Sequence, residues 1–305
     1  MTSRAETGRA ARQRPRQARP EPLEAQWSRL HTGDREPWPE ESEVKALAKK
    51  QTGFASWLET YGDPAALVRE LRHAWREFHA GQFHKAIELG SDLGPLGACV
   101  ANKAVAVDTL YARPTPQVLA LLSAAIARGE RAVEVLPRHP NAHYTLALVL
   151  GRYSQRISIL KALAAGLAGR VRSHLEKTLT LESRHAEAHL ALGLYHAEIV
   201  SKLGALAAAV TYGASQEKAL EHFRRAMRLA PAAPIVRVEY ANGLLLLDAD
   251  RYRAQARELY EQAAACDPAD AMEQADVARA QRGPRSEPKR GGDQGSREPP
   301  PSSTR

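Results

Sequence analysis

The chain has 305 residues, 44% of them apolar, enough for one large or two small cores. Its two cysteines, Cys99 and Cys266, match neither a CxxC nor a zinc spacing and read as reduced, partly buried thiols. The net charge of +8 argues for a nucleic-acid partner only until it is located. Residues 1–22 hold six Arg against two Glu and residues 281–305 six Lys or Arg against three acids, so the body is near neutral and no specific nucleic-acid surface is expected.

Residues 1–22 and 281–305, rich in Arg, Pro, Gly and Ser, read as disordered tails. Residues 23–62 read as an irregular lead-in with one short helix, Glu40 to Lys50. A helical domain is expected over 63–280. Asp63 caps its first helix, with Pro64 at the first position and Leu67, Leu71, Trp75 and Phe78 at helical spacing. Gly81 ends it, and Gly81 to Gly90 reads as the turn and second helix of a repeat unit. Glycines and Pro95 interrupt the pattern up to Gly97, helices follow over Ala98 to Tyr111 and Gln117 to Val135, and "PRHPN" leads into longer units.

Two stretches then share a four-point pattern: Ala219, Phe223, Ala226, Pro231 and, 37 residues on, Ala256, Tyr260, Ala263, Pro268. Small residues let a neighbouring helix approach, the aromatic fills the gap, and proline stops the turn, as in the second helix of a tetratricopeptide unit. "AHLALGLYHAE" (Ala188 to Glu198) precedes the first quartet, "AHYTLALVLGR" (Ala142 to Arg152) matches it 46 residues upstream, and "VRSHLEKTLTLES" (Val171 to Ser183) aligns with "ALEHFRRAMRLAP" at an offset of 48. The last unit, Pro234 to Pro268, turns around Asp248 to Arg251, and "PADAMEQADVARA" reads as a polar closing helix. Strand alternation is nowhere sustained. The expected fold is all-α, a right-handed superhelical array of antiparallel helix pairs.

Both central units exceed the ~34 residues of a standard repeat because of Ala/Gly/Leu-rich inserts, Ser154 to Arg170 and Ser201 to Lys218. They read as extensions of the first helix of each unit, packed over one end of the array. Extra core is the simplest role; an apolar pocket or a self-association surface is the alternative.

The segment carrying "HLALGLYHAE", an insert ending "YGAS" and "EKALEHFRRAMRLAP" resembles the tetratricopeptide-like domain of the regulator of microtubule dynamics family and its bacterial relatives, over Pro140 to Pro268. It also resembles the T-component of TRAP transporters. The first resemblance implies a eukaryotic partner, for which these residues show no surface, and the second a lipoprotein outside the cytoplasm, for which no lipidation cysteine is present. No apolar run reaches the ~18 residues of a membrane span and no secretory signal core is visible, so a cytoplasmic location is expected if Met1 is the true start.

Chemical motifs are few. His185, His189 and His196 fall on one helical face, yet helical rise sets His196 roughly 10 Å from His189, too far to share one ion. His185 and His189 could chelate together, with His143 or Tyr144 of the preceding unit as candidates for proximity, and structural or capping roles are the competing reading. A second polar group, Arg152, Tyr153, Gln155, Glu198, Glu239 and Asn242, lies on successive first helices that line the inner face of such arrays. With His189, His196 and Tyr212 of the second insert, these residues form the expected ligand or partner surface, and an Arg152 to Glu198 pairing is expected to lock two units together. Thr145, Leu148, Ala191 and Leu194 occupy the inner positions at which carboxylate-clamping domains carry cations, which argues against such a clamp. No phosphate loop, GxSxG motif or Cys/His nucleophile pair occurs. The expectation is a non-enzymatic, cofactor-free scaffold that binds a protein or peptide through its inner face. The alternative is a carrier for an apolar small molecule housed under 154–170 and 201–218.

Overall fold

A computed structural model describes residues 22–110, 115–158, 161–162 and 165–283. Residues 1–21 and 284–305 of the expected tails, and Tyr111, lie outside them, while Gln281 and Arg282 belong to the last helix rather than to a tail. The described residues form fourteen helices and no strand. Three lead-in helices, α1 (Leu23–Leu30), α2 (Glu41–Lys50) and α3 (Thr52–Tyr61), precede helix pairs α4 (Pro64–His79) with α5 (Phe83–Asp92), and α6 (Gly94–Asp108) with α7 (Pro116–Val135). Next come α8 (Pro140–Ser154) with α9 (Leu167–Leu181), then α10 (Ala186–Leu203) with α12 (Gln216–Leu229), the short α11 (Ala205–Tyr212) lying between them in the chain. Helix α13 (Pro234–Ala264) contributes a pair by itself, and α14 (Ala271–Arg282) closes the array.

Local chemistry explains the ends. The Asp63 side chain accepts the Ala65 amide at the start of α4, and Leu67, Leu71, Trp75 and Phe78 are buried as their spacing predicts. Helix α13 breaks at Asp248, which has extended dihedrals (φ −164°, ψ 98°) and caps the second half by accepting the Arg251 amide at 3.0 Å. This is the turn expected at Asp248 to Arg251. All six helical members of the two quartets are buried. The glycines at 90 and 97 do not unravel the chain; they let α5 and α6 touch backbone to backbone, since a Cβ on Gly97 would fall 2.2 Å from the Gly90 carbonyl oxygen.

The lead-in is helical rather than irregular. Phe54 and Leu58, four residues apart, bury one face of α3, and Trp27 of α1 packs edge-on against Trp38 and Trp75. These anchors are spread through a polar stretch, which masks the period. The inserts also differ from expectation. Helix α8 ends at Ser154 and α9 opens at Gly166 in the left-handed region (φ +61°), so the first insert does not extend α8. The second insert extends α10 only to Leu203; Gly204 (φ +79°) then turns the chain into α11.

Helix α14 does more than cap the end. It packs on α13 and also reaches the helices that open the chain. Asp270 meets His79 of α4 at 2.6 Å, and Glu273 meets Arg29 of α1 at 3.1 Å. Among the described residues no helix is long and apolar enough to cross a membrane.

Candidate functional site: a cleft beneath the inserts

Helices α8, α9 and α10 enclose a cleft of about 170 Å³. Leu148, Leu175, Leu194 and Ile199 give it an apolar wall, with Ala162 and Ala168 from the first insert and Lys202 and Leu203 from the start of the second. Polar groups cluster along one side. Arg152 donates to Gln155 Oε1 at 3.4 Å, Gln155 Nε2 donates to Glu198 Oε1 at 2.8 Å, and Lys202 Nζ lies 3.1 Å from Glu198 Oε2. The expected direct pairing of Arg152 with Glu198 is thus replaced by a relay through Gln155. Arg152 Nε is also fixed by the Ala106 carbonyl at 3.2 Å. Burial lowers the Arg152 pKa, with Glu239 and Glu198 opposing that shift.

Only part of the predicted surface converges here. Tyr153 packs instead into the core shared by α6, α7 and α8. Tyr212 packs beside Tyr195, and its carbonyl accepts from Arg172. Glu239 and Asn242 tie α13 together and join it to α14. Asn242 Nδ2 donates to Glu239 Oε2 at 3.0 Å, and Arg279 sits 2.6 Å from Glu239 Oε1. The inner face on α13 is therefore engaged by the chain's own last helix.

The histidines separate as well. His185 is fully buried; its Nδ1 accepts the Ala188 amide as the α10 cap, and its Nε2 meets Asn141 Oδ1 at 2.9 Å. His189 turns away to His222 of α12, Nδ1 to Nδ1 at 2.9 Å, and His196 stacks on the same His222. The two candidate metal ligands thus face different neighbours. Among the described residues no group of three or more His, Cys, Asp and Glu side chains is placed to hold a metal. His143 and His174 form the same Nδ1 contact at 3.0 Å one unit earlier. In both units the first-helix imidazole also donates through Nε2 to the carbonyl six residues before it, Pro137 or Ser183. His174 and His222 fall outside the set expected from sequence, although the 48-residue offset aligns them.

A buried polar network lies outside every sequence expectation. Lys103 of α6 reaches Asp34, and its Nζ lies 3.3 Å from Glu187 Oε1; Tyr144 donates to Glu187 Oε2 at 2.6 Å. His31 bonds Asp34 on one side and His79 on the other. Asn141 donates to the Asp34 carbonyl at 3.0 Å, and the Glu187 amide donates to the Gly33 carbonyl at 3.0 Å. Burial alone would raise Asp34, but His31 and Lys103 outweigh it and hold the carboxyl well below its usual range. The inner face does clamp a carboxylate, an internal one. Its sequence signal is the pair Asn102 and Lys103 inside the apolar run "ACVANKAVAV".

The architecture is similar to the crystal structure of TTC0263, a thermophilic TPR protein of Thermus thermophilus. The TM-score is 0.51 at 19% identity, over 70% of this chain and 98% of that one. That likeness shows the tetratricopeptide fold. No curated protein matches the chain in sequence. The family model described as regulator of microtubule dynamics protein 1-3 matches residues 111–282, which contain the long units, both inserts and the cleft, and the chain belongs to that family.

Proposed function

We propose that this chain is a non-enzymatic scaffold that binds a protein partner by taking an apolar anchor side chain into the cleft between α8, α9 and α10. The observation that carries the reading is the juxtaposition of Arg152, Gln155, Glu198 and Lys202 with an apolar wall. Such a site orients an extended segment through its polar edge and gains affinity from the buried anchor. A volume of about 170 Å³ matches a single aromatic or branched side chain, since an apolar cavity of roughly 150 Å³ accommodates benzene. Leu206 and Val210 of α11, 81% and 80% exposed, are apolar side chains left on the surface outside the cleft and support a protein contact, self-association included.

The second reading, a carrier for a small apolar molecule, is favoured by the same enclosed wall. Native mass spectrometry of freshly purified protein separates the two. A retained mass of a few hundred daltons supports the carrier. A clean apo mass, together with peptide-array capture that disappears on Glu198→Ala, supports the scaffold. A clean mass with no captured peptide defeats both.

A further inference from the structure

We propose that a second cavity, where the lead-in and α14 meet the array, binds a small organic cation: a primary ammonium or guanidinium on a short apolar arm, with Asp276 as its counter-charge. The cavity holds about 100 Å³ and is distinct from the cleft beneath the inserts. Pro231 and Ala232 are exposed at its mouth, while Lys103, Asp270 and Asp276 are buried within it. Phe78, Val236 and Met272 supply apolar wall.

The charges in the wall are taken up in pairs. Lys103 is held by Asp34 and Glu187, His79 by Asp270, and Arg29 by Glu273. Arg279, one turn along α14 from Asp276, is engaged by Glu239. Asp276 is different. It is 7% exposed, lines the cavity, and has no hydrogen-bond or ion-pair partner among the described residues. Burial drives its carboxyl well above the usual range; Arg279 opposes this, while Glu239, Glu187 and Asp270 push it further. A buried carboxyl without a partner is costly. A ligand that brings a positive N–H donor resolves that cost, and a guanidinium meets a carboxylate through two parallel bonds. Where the pH lies below its raised pKa, the acid gives up its proton to take the cation.

The cation has two sources, a free small amine or guanidine, or the side chain of a partner's arginine. Isothermal titration of the full chain with methylguanidinium, n-butylammonium and an arginine-containing peptide, each in two buffers of different ionisation enthalpy, tests the proposal. Saturable 1:1 binding accompanied by proton release is expected. Binding of the free cations identifies a small-molecule site; binding of the peptide alone identifies a partner arginine. Asp276→Asn should weaken binding at least about tenfold and abolish proton release. Its melting temperature should be unchanged or raised, because an unpaired buried carboxyl is removed. Ala232→Trp at the mouth should block entry while leaving Asp276 intact. Absence of saturable binding by all three probes, or binding that survives Asp276→Asn with its proton release, overturns the proposal.

Discussion

The ring of Phe223 lies so close to Gly243 that a Cβ there would stand 2.1 Å from Phe223 Cζ, and a Cβ on Gly193 of α10 would stand 2.5 Å from the same ring. One aromatic therefore fills the gap between three helices, and two glycines make the room. Gly243→Ala should destabilise the protein by about 1–3 kcal/mol through overpacking, despite the better helix propensity of alanine. Phe223→Ala should cost about 3–5 kcal/mol by leaving a void. Urea denaturation reads both. Equal stability of Gly243→Ala and the parent would show that the close approach relaxes freely.

The Lys103 network joins the lead-in to the array, so its rupture should be felt far from Lys103. Lys103→Met leaves Asp34 buried without its cation and is expected to cost about 3–5 kcal/mol. Combining it with Asp34→Leu should recover part of that loss, because both members of the pair are then apolar. Hydrogen exchange checks the location: amides of α1 and of residues 31–36 should lose protection first. Uniform loss across α8 to α12 would contradict a docking role.

How much of this is legible in the sequence depends on sequence distance. Phe223, Ala219 and Ala226 announce themselves through a local period, and Arg152 and Glu198 share a cleft because a 46-residue offset puts them at equivalent places. Gln155 between them follows from the end of α8. The partners of Lys103, by contrast, lie 69 and 84 residues away, and no local pattern encodes a charge pair formed when the lead-in folds onto α6, α8 and α10. Asp276 is hidden for the same reason. On a helix read as a polar cap it looks solvated, and its burial follows from the packing of α14 on the array, with Glu239 of α13 and Glu187 of α10 among the charges that act on it.

The paired imidazoles predict acid sensitivity. Burial pushes His174, His189 and His196 down from 6.5 to about 4, and His185 to about 3, with like-charged neighbours adding to the shift. At these four histidines the folded chain thus binds fewer protons than the unfolded chain below pH 6.5. Their contribution is fully present above that pH and is lost as pH falls through the folded values near 4. Denaturation midpoints should decline between pH 6.5 and 4, and the double substitution His189→Gln, His222→Gln should flatten the decline. A pH-independent midpoint over that window, or an unchanged slope in the double variant, would contradict it.

Gly151 offers the cleanest test of the cleft. It lines the cleft from within α8, and a Cβ added there meets no atom within 4 Å, so a larger side chain starts into open space at the cleft wall. Replacing this glycine in the last turn of α8 also favours the helix by up to about 0.5–1 kcal/mol. Gly151→Leu should therefore leave stability equal or higher while filling the volume reserved for an anchor side chain or an apolar ligand. Loss of peptide capture or of a retained small molecule, measured beside an unchanged or raised melting temperature, assigns binding to this cleft. Undiminished binding by a stable Gly151→Leu variant would move the functional surface elsewhere, with exposed Leu206 and Val210 of α11 the next residues to replace.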